Sequence, residues 1–324
     1  MKIIRHDDIV NAKIKPGLCY EWVHEMLENK KEAILPPKIS LHFDDDGFFN
    51  TMPSVIPHLG VEGVKVITRK IGRSPAIDSQ LLLYDGETKN VKAILDANWL
   101  TAMRTGAVAV HTIKNLAKED FKTIGLLGFG NTQTATIKVL LDVFKNRELQ
   151  IRLLKYKEAH VRYEEFILSE AKIAGAQKVT VEYVDDVEEL MANNDVIISA
   201  VTYAEHDFCK PEIYKPGVLI VAIHLRGFME CDPVFEKIYC DDYSHVNKFK
   251  YYDQWKYKAE VAEVIRNEAK GRESDDERII AYNVGLSLHD IFFAEKIYNI
   301  VSEDCSEIEL NAPTASAWLM EENN

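Results

Sequence analysis

Apolar and polar residues alternate along the chain in two different ways. Over the first hundred residues the apolar stretches are short and closely spaced. Residues 35–43, 48–54, 63–68, 80–85 and 91–95 read as successive strands of an antiparallel or mixed sheet. A short strand and a helix over residues 19–29, with Trp22 and Met26 on one side, precede them. Pro36-Pro37 makes a rigid entry to the first strand of the set, and Asp44-Asp45-Asp46-Gly47 reads as a solvated hairpin turn. Residue 100 opens a helix rich in small side chains, and a polar bridge at 115–120 follows.

From Thr123 onward the pattern becomes strand, helix, strand, repeated. Residues 123–127 are apolar, and then Ile137, Leu140, Leu141 and Phe144 recur at the spacing of one helix face. Further strands are predicted at 150–154, 179–183, 196–200 and 218–223, with a sixth at 238–240. The runs at 196–200 and 218–223 are apolar without interruption, as strands buried on both faces of a parallel sheet should be. A charged loop at 271–277, a long helix at 286–301 and a loose tail at 311–324 complete the chain. The fold class is therefore α/β: a Rossmann-like doubly wound parallel sheet plus a second α+β domain.

Between the first strand of the second region and its helix stands Gly128-Phe129-Gly130-Asn131-Thr132-Gln133. Gly128 suits a tight turn, and Gly130 lets backbone N–H groups approach a pyrophosphate resting on the helix N-terminus. Gln133 replaces the third glycine of the usual fingerprint. An ordinary strand-to-helix turn would use the same glycines, so the dinucleotide reading leans on the repeated alternation around them.

Composition narrows the partners. The chain has 324 residues, 47% hydrophobic and 28% charged, with a net charge of −13. Nucleic acid and anionic membrane both require basic patches, so neither is expected as a partner. No apolar run approaches a membrane span, and the N-terminus lacks the apolar core of a signal peptide. Cys19, Cys209, Cys231, Cys240 and Cys305 follow no paired spacing, which suggests free thiols and a cytoplasmic protein. The 44–47 turn lacks the alternating ligands of a calcium loop, so no metal is expected. Two cations stand out. Lys65 lies between apolar neighbours on a strand, as a catalytic group or as a snorkelling lysine. Arg104 lies in an otherwise apolar helix, as a ligand group or as a surface arginine.

Taken together, several segments are similar to the ornithine cyclodeaminase/mu-crystallin family: Pro36-Pro37-Lys38, Met52-Pro53-Ser54, Gly63-Val64-Lys65-Val66, Leu100-Thr101-Ala102-Met103-Arg104-Thr105-Gly106-Ala107, Gly128 to Gln133, and Asn283-Val284-Gly285-Leu286 with Asp290. The resemblance implies a homodimer. One domain, residues 1–115 with 300–324, would carry substrate and dimer contacts, and the other, 116–299, would hold NAD(P). It implies hydride transfer at a carbon–nitrogen bond alpha to a carboxylate, on an amino-acid or keto-acid substrate. Arg104 and Lys38 would bind the carboxylate and Lys65 would manage the proton. Thr105, Gly128, Gly130, Asn131, Thr132, Gln133, Val201 and Thr202 would hold the cofactor.

Two departures refine this expectation. After the second strand the chain reads Leu154-Lys155-Tyr156-Lys157, with no acid for the ribose hydroxyls. Lys155 and Lys157 therefore tilt the reading toward NADP, with ordinary surface lysines as the alternative. After the fifth strand, Ile223-His224-Leu225-Arg226 stands where cyclodeaminases carry a catalytic aspartate. The Leu225-Arg226 pair is similar to that of members joining two amino-acid-derived parts, such as the synthases of N-(2-amino-2-carboxyethyl)glutamate. Arg226 would then meet an additional anionic group, or else tie the loop to an acidic neighbour. True ornithine cyclodeamination and a non-catalytic, crystallin-like ligand-binding role are the alternatives.

Overall fold

The computed structural model describes residues 1–156, 158–202 and 204–309. The first domain begins with β1 (Lys2–Ile4), α1 (His6–Asn11) and α2 (Pro16–Glu28). Helix α2 starts on Pro16, whose missing N–H costs nothing at that position. Its Cys19, Trp22, Val23 and Met26 form one buried stripe. The meander β2 (Ile39–His42), β3 (Phe48–Ile56), β4 (Val61–Arg69), β5 (Ile77–Asp85) and β6 (Val91–Asp96) follows, each strand antiparallel to the next. β1 joins parallel to β6, so the sheet is mixed.

Helix α3 (Asn98–Leu116) connects the domains and is buried along most of its length. The second domain runs β7 (Thr123–Leu127), α4 (Asn131–Val143), β8 (Leu149–Leu154), α5 (Ala159–Ala174), β9 (Val179–Val184), α6 (Val187–Ala192), β10 (Val196–Ser199), β11 (Leu219–Ala222), β12 (Lys237–Cys240), α7 (Tyr243–Val246), β13 (Lys258–Glu260), α8 (Val261–Ile265) and β14 (Ile279–Tyr282). Its sheet is parallel throughout, in the order β13-β12-β14-β11-β10-β7-β8-β9. Consecutive units wind outward to either side of β7, which puts a crevice at the carboxyl ends of β7 and β10. The strand β14 is an addition to the expected set. Ile279-Ile280-Ala281-Tyr282 is wholly buried and pairs with β11, which moves the expected sixth strand, β12, one place outward.

Helix α9 (Ser287–Val301) corrects the expected domain boundary. A break at residue 299 would cut it, yet the whole helix lies across β3, β4 and β5 of the first sheet. The apolar side chains Ile291, Phe292 and Phe293 bury there, and Gly63 lets Ile291 approach so closely that a Cβ at Gly63 would sit 2.7 Å from its Cδ1. The chain thus returns to the first domain at the 283–286 turn, and β15 (Ser306–Glu307) finally pairs with β1. The expected tail at 311–324 lies outside the described residues. All five cysteines are free, and no helix among the described residues is long and apolar enough to cross a membrane.

Candidate active site between the domains

Strand alternation decides where Lys65 points. On β4, Val61, Gly63 and Lys65 face inward, under α9 and α3, so the ammonium is fully enclosed. A buried ammonium without a counter-charge is very costly. The partner comes from α9, where Lys65 Nζ donates to Asp290 Oδ1 at 2.7 Å and to Thr101 Oγ1 of α3 at 3.4 Å. Arg104, one turn further along α3, places its Nε 2.9 Å from the same Asp290 oxygen, as an ion pair without hydrogen-bond alignment. Two cations therefore share one carboxylate with no exposed surface.

Burial pushes the Lys65 pKa down to about 8, reinforced by Arg104 and Lys38 and opposed by Asp290. Lys38, on the approach to β2, also titrates low, first from partial desolvation of its ammonium and then from Arg104. It remains exposed at a small recess lined by Met52, Ser244, His245, Leu286 and Ser287. The structure thus gathers Lys38, Lys65 and Arg104 into one electrostatic group.

The 283–286 turn completes this group. Gly285 has φ +89°, and a Cβ there would lie 2.1 Å from Arg104 Nη1. Any other residue there would strain the backbone and push the guanidinium aside. The turn is fixed by buried Asp241, which accepts from Gly285 N at 2.7 Å and Asn283 Nδ2 at 2.9 Å. Behind it, Lys30 of the first domain donates to Asp241 O, Asp242 Oδ2 and Glu260 Oε2 of the second.

On the other side of Thr101 opens a cleft of about 410 Å³ between the domains. Ile67, Ile77, Ser79, Thr101 and Ala102 of the first domain line it, opposite Gly130, Asn131, Thr132, Ala200 and Thr202 of the second. Gly128 has φ +87°, and a Cβ there would meet Ala200 O at 2.6 Å and Val201 N at 3.2 Å, so only glycine lets β7 turn against the end of β10. Gly130 is the N-cap of α4 and offers no side-chain cap, and nothing lies within 4 Å of where its Cβ would be. The α4 N-terminus is therefore an open set of N–H donors at a Gly-x-Gly turn, and these residues fit a dinucleotide pyrophosphate.

Other residues singled out in the sequence do not line this cleft. Thr105 is buried, and its hydroxyl donates to Thr101 O at 2.7 Å, inside its own helix. Gln133 is also buried, with neither amide atom hydrogen-bonded among the described residues, so it packs where the third fingerprint glycine would stand instead of lining the cleft. Lys155 lies beyond β8 and pairs with Asp185 at 2.7 Å, while Lys157 is outside the described residues. His224 bonds Ser199 Oγ through Nε2 at 2.6 Å and packs against Phe208 and Phe228. Burial pushes its pKa down to about 4, so the ring is neutral at physiological pH. Arg226 is exposed on the loop after β11 and is not enclosed with Lys65 and Arg104.

Reading the sequence left out the roles of Asp290, Asp241, Ser79 and Thr101. One signal was available: an aspartate in the apolar run Leu288-His289-Asp290-Ile291-Phe292-Phe293 needs a buried cation as much as Lys65 needs an anion.

Known proteins share this architecture. Nodulation efficiency protein NfeD of Rhizobium meliloti is 27% identical over 83% of this chain and 84% of its own length. N-((2S)-2-amino-2-carboxyethyl)-L-glutamate dehydrogenase of Staphylococcus aureus is 25% identical over 67% of this chain and 66% of its own. The solved structure of Thermococcus litoralis Delta(1)-pyrroline-2-carboxylate reductase in complex with NADH and L-proline superposes with a TM-score of 0.83, at 20% identity, covering 95% of this chain and 100% of that one. The sequence profile of the ornithine cyclodeaminase/mu-crystallin family matches residues 2–304, and the chain belongs to that family.

Proposed function

We propose that this protein is an NAD(P)-dependent oxidoreductase acting on the carbon–nitrogen bond of an amino acid or its imine. One observation carries the reading: an open helix N-terminus behind a Gly-x-Gly turn lines one cleft with Thr101, and Thr101 contacts Lys65 in an enclosed group of cations suited to a carboxylate. Gly130, Asn131 and Thr132 would hold the pyrophosphate, with Val201 and Thr202 beside it. Bound there, the dinucleotide supplies the hydride chemistry.

The chain's own residues do the rest. Arg104 presents a planar fork matched to a carboxylate, and Lys38 adds a second cation from the rim. Lys65 holds the proton that the substrate nitrogen gains or loses, with a pKa near the operating range. Fixing substrate against cofactor in one geometry removes much of the entropic barrier. The exposed Arg226 suits an opine-type substrate with an additional anionic group, in keeping with the likeness to the Staphylococcus aureus dehydrogenase. Neutral His224, packed among aromatic rings where cyclodeaminases place their aspartate, argues against strict ornithine cyclodeamination. Lys155 favours NADP as the preferred form, and its replacement by alanine should weaken NADPH binding more than NADH binding.

We also infer a homodimer through the outer face of the first sheet. Pro53, Val64 and Leu82 stand in register there, as do Val55, Glu62 and Tyr84, opposite the face that α9 covers. Of these, Pro53, Val55, Glu62, Val64 and Tyr84 border an apolar groove of about 450 Å³.

The test is oxidation of NADH and NADPH with a panel of keto acids and ammonia or amino acids, and the reverse reaction with amino acids. Cofactor turnover with any of them supports the reading. Ornithine converted to proline and ammonia would restore cyclodeamination, and cofactor binding with no turnover on the panel would favour a binding protein.

A further inference from the structure

Lys65 poses a problem that the proposed function alone does not solve. It has no exposed surface and does not line the cleft. Among the described residues its hydrogen-bond partners are Asp290, itself fully enclosed, and Thr101. Thr101 is partly exposed and lines the cleft beside Gly130, Asn131 and Thr132. Its hydroxyl also meets Ser79 Oγ at 3.2 Å, and Ser79 is anchored in turn by Asn98, whose Oδ1 accepts from Ser79 N at 3.1 Å. Asn98 Nδ2 donates to Asp78 and Asp96, which fixes the acceptor orientation of its oxygen.

This anchoring gives the hydroxyl a definite role. A lysine ammonium only donates, so Thr101 Oγ1 accepts from Lys65 and its own proton is free to point to Ser79 or into the cleft. We propose that Thr101 is a catalytic residue that passes the proton between buried Lys65 and the substrate nitrogen in the cleft, an inference that rests on the oxidoreductase reading of the site. In imine reduction, the Thr101 O–H bond breaks as the substrate N–H bond forms. A proton from Lys65 then restores the hydroxyl and leaves a neutral amine, while the nicotinamide supplies the hydride. Amine oxidation runs the same transfers backward. Ser79 holds the hydroxyl in place as a positioning residue.

The experiment follows the Lys65 ammonium protons in ligand-free protein by nitrogen-15 NMR, together with kinetics using L-alanine and L-proline as probes. In Thr101→Val the ammonium protons should exchange with solvent more slowly than in the unaltered protein. The kcat should fall by about 100-fold or more with NADH affinity unchanged, and Thr101→Ser should restore both. Unchanged exchange in Thr101→Val overturns the route. Slowed exchange with turnover intact confines Thr101 to solvent access and overturns its catalytic role. If exchange slows but neither probe is turned over by the unaltered protein, the conduit stands and the substrate reading fails instead.

Discussion

The side chains of Lys65, Arg104 and Asp290 are bound by charge more than by shape. Two cations sharing a single buried carboxylate oxygen tolerate little loss of negative charge. Asp290→Asn removes that charge and should lower the unfolding free energy by about 3–5 kcal/mol, measured in denaturant. Lys65→Ala and Arg104→Ala should abolish turnover while leaving the fold and NADH fluorescence binding in place, and retained activity in both would remove the site assignment. The pH dependence follows from the Lys65 pKa, held near 8 chiefly by burial. Imine reduction needs its protonated form and should fall as pH rises through about 8. Amine oxidation needs the neutral amine and should rise over the same interval, so opposite profiles for the two directions are the expected result.

At the scale of elements, two glycine turns set the two halves of the site. The β7–α4 turn brings backbone against backbone at Gly128, so Gly128→Ala should reduce NADH affinity by about tenfold or more through strain and collision with Ala200. The turn before α9 brings backbone against a guanidinium. Gly285→Ala should move Arg104 and raise the substrate KM with little change in cofactor affinity, a split that equilibrium titration and steady-state kinetics can separate. Helix α3 links these halves. Its Gly106 lets α4 approach until a Cβ would lie 2.5 Å from Thr136 N, so α3 and α4 pack as one unit.

At the scale of the molecule, α9 covers one face of the first sheet, and Pro53, Val64 and Leu82 stand partly exposed on the other. This face carries the dimer interface proposed above. Val64→Asp together with Leu82→Asp should convert a dimer to monomers in light scattering, and a wild-type protein that is monomeric at micromolar concentration would remove the proposed interface. The two-domain layout was legible because period-2 and period-3.6 patterns change character near residue 123. The α9 placement was not, since Leu286 to Val301 is apolar on most sides and its period does not name the sheet it will cover.

Local chemistry written in the sequence determined most of the strands, the Gly-x-Gly turn and the candidate status of Lys65 and Arg104, because propensity, backbone freedom and burial patterns act over a few residues. Tertiary structure alone decided that Asp290 neutralises both cations, that Gly285 seats the arginine, and that Gln133, Thr105 and His224 turn into packing instead of the cleft. Those outcomes depend on contacts between residues as many as 225 positions apart, as for Lys65 and Asp290. No local period encodes them, because the energy of a buried charge is set by whatever the folded chain brings beside it.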